Sequence, residues 1–312
     1  MDFSLLRELY RLYYLVKDFN PDIVQTWLYH TDLVGGIIAK CCGVKQIYWG
    51  VRSSELVGEN SKLSLRIVRW LCGVCSHFVP NKVVCNSNSG IRSHVRLGYS
   101  KRKMTLVHNG FDTNQFYPDV VAREKNRLKL GVGQNVKIIG MVARFDTLKN
   151  QLGFVDVIEK LAKKHTNFVV IMIGTNVDYE NKVLTKKIEL ADLGRLFFLL
   201  GERKDVASVM NSFDFLVCPS LAEAFPNVVG EAMACEVPCI SYDVGDCGEI
   251  IGDTGIVCST NEESKLVLAV SDFLNLSDQE LLGLGKAARK RVIERFTLAN
   301  SINCFEAIYT NT

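Results

Sequence analysis

The second half of the chain alternates short apolar runs with amphipathic stretches. The apolar runs are IIGMVARF (138–145), FVVIMIG (168–174), LFFLLG (196–201), DFLVCPS (214–220), PCISYDV (238–244) and GIVCS (255–259). Helical patterns such as NQLGFVDVIEKLAKKH, ENKVLTKKIELADLG and VVGEAMACE separate the first five. Continuous apolar strands spaced by helices predict a parallel sheet covered on both faces, a doubly wound α/β unit. The first half repeats the theme with DIVQTW (22–27), a helix over about 31–42, QIYWGV (46–51), a basic helix from about Ser61, VVCNS (83–87), another helix and MTLVHNG (104–110). Ser277 and Glu280 form a capping box before a long helix, and a last helix begins near Thr297. Residues 116–135 are polar and lack a strand pattern, so they are expected to link a first domain (1–115, joined by the final helix 297–312) to a second (136–296).

Composition narrows this picture. The length of 312 residues suits two domains, and 48% hydrophobic with 23% charged residues is ordinary for a globular protein. No apolar run reaches the 18 or more residues of a bilayer span. Arg7, Glu8, Arg11, Lys17 and Asp18 interrupt any signal-peptide core at the start. The eleven cysteines are scattered through apolar segments, which reads as free thiols in a reducing cytoplasm; one pair, Cys72 and Cys75, has C-x-x-C spacing without a partner pair.

Net charge is +3, but its distribution is uneven: no Asp or Glu lies between Asn60 and Phe111, while Lys62, Arg66, Arg69, Lys82, Arg92, Arg96, Lys101, Arg102 and Lys103 do. A solvated basic face explains this, as does attraction to an anionic membrane surface. Few aromatic residues interleave the run and no nucleic-acid motif is visible, which disfavours nucleic acid.

In open α/β sheets ligands sit beyond the carboxyl ends of strands. There, VARFDTLKN places Arg144 and Lys149 five residues apart, two cations able to bind a diphosphate. In SLAEAFPNVVGEAMACEVP, Pro226 suits a first helical turn whose free amides attract anions. Glu223 precedes that helix and Glu231 lies inside it; carboxylates accept from the paired hydroxyls of a sugar or ribose. The segment SYDVGDCGEIIGDTGIV (241–257) is glycine-rich. No G-x-G-x-x-G follows a strand and no P-loop motif occurs, which disfavours a dinucleotide oxidoreductase and a P-loop phosphotransferase.

Together, the order Arg144, Lys149, Glu223-x7-Glu231, with VVCNSNSGIRSHVRLGY, LVHNGFDTNQFYPD and PSLAEAFPNVVGEAMACEVPCISYDVGDCGEIIGDTG around it, resembles the retaining glycosyltransferases of family 4. The resemblance covers nearly all of residues 20–312. It implies a GT-B fold of two facing Rossmann-like domains and a nucleotide-diphosphate sugar donor, UDP- or GDP-linked, with no metal or other cofactor. Arg144 and Lys149 would hold the diphosphate and Glu231 the ribose. Glu223 and the backbone of Ala224, Phe225, Asn227 and Val228 would position the donor. His30 would reach the donor sugar, or else cap and pack its helix. The acceptor would be a lipid-linked or surface glycan of lipopolysaccharide, capsule or exopolysaccharide, met at the cytoplasmic membrane face with the basic run as peripheral contact.

The chain departs from the pattern in three places. Ala-Phe-Pro stands where the family often has Gly-Phe-Gly, removing one backbone donor, and Glu236 replaces a frequent glycine. The usual opening strand with its glycine-rich turn is missing, about two strand–helix units at roughly 30 residues each, so the first domain is expected to be incomplete. A nucleotide-sugar-binding remnant without turnover and a GT-B nucleotide-sugar epimerase therefore stand as alternatives.

Overall fold

Residues 3–53, 63–259 and 262–310 are described by a computed structural model. Lys62 and the start of the basic helix at Ser61 lie outside the described residues. The chain divides into two units: Met1–His108 with Ser301–Thr312, and Asn109–Asn300.

The first unit opens with helix α1 (Phe3–Phe19) and then alternates β1 (Ile23–Trp27), α2 (Tyr29–Cys41), β2 (Gln46–Val51), α3 (Leu63–Cys75), β3 (Lys82–Cys85), α4 (Asn88–Arg96) and β4 (Met104–Leu106). Its four strands run parallel in the order β1-β2-β3-β4. Successive neighbouring strands joined by right-handed crossovers place every connecting helix on one face. Ile47, Trp49, Val51, Val83 and Cys85 bury that face together with Ala39 of α2 and Cys72 of α3. The alternate residues Tyr48 and Val84 point the other way, onto Ile308 of the last helix.

The second unit holds α5 (Val120–Lys129), β5 (Lys137–Val142), α6 (Gln151–Ala162), β6 (Phe168–Ile173), α7 (Lys182–Leu190), β7 (Phe197–Leu199), α8 (Val206–Met210), β8 (Phe215–Cys218), α9 (Asn227–Ala234), β9 (Cys239–Tyr242), α10 (Cys247–Ile251), β10 (Ile256–Cys258), α11 (Glu263–Asn275) and α12 (Asp278–Arg295). The last helix, α13 (Leu298–Thr310), starts here and runs into the first unit. Six parallel strands are ordered β10-β9-β8-β5-β6-β7. Order reverses between β5 and β8, the switch point of a doubly wound sheet. Apolar residues of α6, α7 and α11 cover one face, those of α8, α9 and α12 the other.

The segment 116–135, expected to be a linker, is instead part of the second unit. It carries α5, whose Arg127 is fully buried. Arg127 and Arg123 pair with Asp214 at 3.4 and 2.6 Å, and the same carboxylate accepts from the Ile138 amide at the start of β5. Hydrogen bonding rather than an apolar stripe docks this helix.

Candidate active site

The loop after β5 is built by side-chain hydrogen bonds. Asp146 caps the 3₁₀ turn Thr147–Lys149 by accepting from the Leu148 amide at 2.9 Å. That bond, with the Arg144 guanidinium beside it, holds the Asp146 carboxyl below its usual range. Arg144 donates to Asp146 from Nε and Nη2 at 3.3 and 3.1 Å, and its side chain is otherwise exposed. Gln151, buried in α6, donates to the Arg144 carbonyl and accepts from the Asp146 amide. Asn150 adopts the left-handed conformation and donates to the Pro219 carbonyl at 3.1 Å, while the Leu221 amide donates to Leu148. The loops after β5 and β8 are thus stitched together across the switch point.

Between them lies a cleft of about 370 Å³. It is lined by Met141, Val142, Ala143, Arg144, Lys149, Val217, Cys218, Pro219, Ser220, Glu223, Phe225, Pro226, Asn227 and Val228. Lys149 Nζ donates to Glu223 Oε1 at 2.6 Å, and both side chains are largely shielded from water. Helix α9 begins at Asn227 with Pro226 as an N-cap that makes no side-chain bond. The first amides of a helix have no intrahelical acceptor, so Asn227 and Val228 bring the positive end of α9 to the cleft. Asn227 Oδ1 in turn accepts from Asn109 at 2.8 Å.

A second loop supports the first from below. Gly245 has φ +60°, and a Cβ there would strike the carbonyls of Glu223 and Ala224. The Asp246 amide donates to the Ala224 carbonyl at 2.9 Å. The glycine-rich segment 241–257 therefore supports the Glu223 loop by close backbone approach.

Of the nine residues singled out from sequence, Arg144, Lys149, Glu223, Phe225, Asn227 and Val228 line this one cleft. The Phe225 ring is buried, stacked on Phe111 at 5.9 Å and edge-on to Phe296, so it serves the core as well. Ala224 is not among the lining residues; its carbonyl accepts from the Asp246 amide. Glu231, one turn further along α9, is also outside it, and burial raises its pKa above the usual carboxylate value. His30 is an exposed second residue of α2 in the first unit. Asp146, Asn150 and Gln151 were not singled out. The aspartate before a threonine–leucine pair is the one local signal that could have found them, since it reads as a cap.

The first unit has its own small cavity of about 140 Å³ at the carboxyl ends of β1 and β2, lined by Trp27, Leu28, Tyr29, Gly50, Val51, Arg52 and Ser53. The Arg52 guanidinium lies 4.4 Å from the centre of the Trp27 ring, and Gly50 leaves the space that ring fills. Leu28 holds φ 77°, ψ 145°, a conformation that L residues rarely adopt. Tyr29 bonds Ser53 at 2.8 Å and the buried His94 at 2.9 Å.

A family model described as glycosyl transferases group 1 matches residues 122–291, and one described as glycosyltransferase family 4 matches residues 3–115. The chain belongs to the glycosyl transferases group 1 family. Among relatives of this glycosyltransferase, a UDP-Gal:alpha-D-GlcNAc-diphosphoundecaprenol alpha-1,3-galactosyltransferase from Escherichia coli is 22% identical over 97% of the chain and 79% of the relative. An N-acetyl-alpha-D-glucosaminyl L-malate synthase from Bacillus anthracis is 29% identical over 73% of the chain, which spans 58% of that relative. The glycosyltransferase also superposes on the crystal structure of Anabaena Alr3699/HepE in complex with UDP, with a TM-score of 0.87 at 18% identity, over 97% of this chain and 82% of that one. The fold is accordingly GT-B, built of parallel-sheet Rossmann-like units.

Proposed function

We propose that this glycosyltransferase moves a sugar from a UDP- or GDP-linked donor onto a lipid-linked or surface glycan, with retention of configuration. The observation that carries the reading is the cleft at the β5–β8 switch point, where Lys149, Arg144 and the amino end of α9 converge beside Glu223. Two relatives named as diphosphoundecaprenol-linked sugar transferases, from Escherichia coli and Campylobacter jejuni, support the acceptor class. The Anabaena complex with UDP supports the donor class.

The mechanism follows from charge. Cleavage of the anomeric bond leaves positive charge on the sugar and negative charge on the departing diphosphate. Lys149, Arg144 and the α9 amides answer the second, held in place before the reaction begins. In the free protein Lys149 is paired with Glu223. An arriving diphosphate would share the ammonium and release part of the carboxylate's acceptor capacity toward the sugar hydroxyls. Glu231 would accept from the ribose. The two cations and the helix end supply the positive charge a diphosphate needs, so the reading assigns no divalent metal. Same-face attack by the acceptor hydroxyl, its proton passing to the leaving phosphate, accounts for retention. Peripheral contact with an anionic membrane through the basic run 60–111 completes the reading.

Transfer from a radiolabelled nucleotide sugar tests it. Arg144→Ala and Glu223→Ala are each expected to lower turnover by about 10²–10³-fold, the range for removing one preorganised charge-stabilising group. Rates equal to the unaltered chain would defeat the assignment.

A further inference from the structure

Helix α3 carries two apolar faces, and the fold uses one. Val68, Cys72, Cys75 and the following Val79 pack into the first unit's core. On another side, Leu63, Ile67, Trp70 and Val74 recur at helical spacing, and Phe78 follows just past the end. All five are open to water, Leu63 at 70%, Trp70 at 62% and Phe78 at 73%. Helix α2, which packs against α3, also carries exposed Val34 and Ile37. Scattered exposed apolar residues are ordinary, but a continuous stripe with a tryptophan and a phenylalanine is not.

The charged side chains that the described residues place beside the stripe are basic. Arg66 is exposed within it, and Arg69, the other basic residue of α3, is buried beneath the helix with its guanidinium 5.1 Å from the Tyr29 ring centre. Lys103 donates to the carbonyls of His77 and Pro80 at 2.8 and 2.7 Å, which fixes its ammonium beside Phe78. Lys40, at the end of α2, lies close enough to repel it. No acidic residue occurs from 60 to 111, so nothing on this segment opposes an anionic surface.

We infer that the α3 stripe, with Phe78 and its ring of lysine and arginine, is the face by which this glycosyltransferase lies on an anionic phospholipid bilayer, apolar side chains entering the headgroup boundary. A helix that presents Trp, Phe and aliphatic residues flanked by cations suits that boundary, where amphipathic rings and snorkelling basic side chains are both satisfied. This rests on the lipid-linked acceptor reading and gives it a place on the molecule distinct from the charge run alone.

The test uses the full chain and vesicles of phosphatidylglycerol and phosphatidylcholine in equal parts, against phosphatidylcholine alone. At least tenfold tighter co-sedimentation with the anionic vesicles is expected. Tryptophan emission should be quenched by brominated lipid, and Trp70→Phe should keep binding while losing most of that quenching. Ile67→Glu with Trp70→Glu should weaken vesicle binding at least tenfold while calorimetric binding of UDP or GDP stays as in the unaltered chain. Equal binding to both vesicle types, or no effect of the double substitution, would overturn the inference. So would a dimer in light scattering that the double substitution splits without any vesicle binding, which would assign the stripe to a second copy. Vesicle binding without nucleotide binding would leave this face standing and remove the donor assignment instead.

Discussion

The turn after β1 and the turn after β5 occupy the same topological position, the first strand-to-helix junction of a parallel sheet, and they are built of opposite materials. The β5 turn is polar and charged, with Arg144, Asp146 and Lys149 close together along the chain and Gln151 buried to hold the turn. The β1 turn has a strained Leu28, an aromatic Tyr29 and, one turn into α2, an Asp32 that is completely buried. Thr26 donates to Asp32 Oδ1 at 2.6 Å, and no hydrogen bond to Oδ2 is found among the described residues. Burial pushes the pKa of this carboxyl up to about 7. Both turns lie at the carboxyl ends of parallel strands, and of the two the β5 turn carries the cations that the proposed diphosphate would need.

The largest test of that contrast removes its charge. Lys149→Ala is expected to cost about 10²–10³-fold in transfer, near 3–4 kcal/mol of barrier, and to weaken binding of nucleoside diphosphate measured by calorimetry. Because Lys149 and Glu223 form one pair, the double variant Lys149→Ala with Glu223→Ala should lose less than the sum of the single losses. Strict additivity would show that the two side chains act separately and that the pair seen in the free protein has no bearing on the donor.

How much of this was legible follows from which forces left a periodic trace. The strands were, because a sheet covered on both faces demands continuous apolar runs such as FVVIMI. The GT-B fold was carried by spaced charged residues within those frames. Helix α5 was not legible, since it buries Ala122, Asn126 and Arg127 rather than a stripe of aliphatic residues. The cations and carboxylate of the cleft could be named because each stands beside a strand end or a helix start. Their supports could not: Gln151 holds Arg144 through its main chain and Asn150 reaches Pro219, contacts that depend on loop shape and leave no spacing in the sequence. The α3 stripe was visible only as charge, because which side of an apolar helix faces water is decided by its neighbours.

The second test addresses the buried acid. An Asp near 3.9 when unfolded and about 7 when folded binds more protons in the folded state across that interval. Stability of the first unit should therefore fall as pH rises from about 4 to 7, and level off above. Asp32→Asn should remove this slope and raise stability at pH 8 by on the order of 3 kcal/mol. All three tryptophans, Trp27, Trp49 and Trp70, belong to the first unit, so denaturation followed by their fluorescence reads that unit directly. The buried His94, whose pKa is lowered by burial, titrates in both chains and cancels from the comparison. An identical slope in both chains would place the titration elsewhere.

The smallest test carries the same comparison to the helix ends. In the first unit, α2 and α4 close on Gly43 and Gly98, with φ 85° and 90°. In the second, α7 and α9 close on Asp192 and Glu236, with φ 55° and 61°. All four make the paired closing bonds of a Schellman motif; at α9 the Glu236 amide reaches Met233 and the Val237 amide reaches Ala232. A non-glycine residue in that conformation costs roughly 1–2 kcal/mol, while glycine gives back about 0.5–1 kcal/mol through its freer unfolded chain. Glu236→Gly should then stabilise the second unit by about 0.5–1 kcal/mol, read as a rise in the thermal midpoint followed by far-ultraviolet circular dichroism. Asp192→Gly should gain less, because a short polar side chain tolerates the left-handed region. Glu236→Ala separates backbone strain from loss of the carboxylate: it keeps the Cβ and should leave stability nearly unchanged. A gain from alanine equal to that from glycine would mean that the charge, not the backbone, is what α9 tolerates at its end.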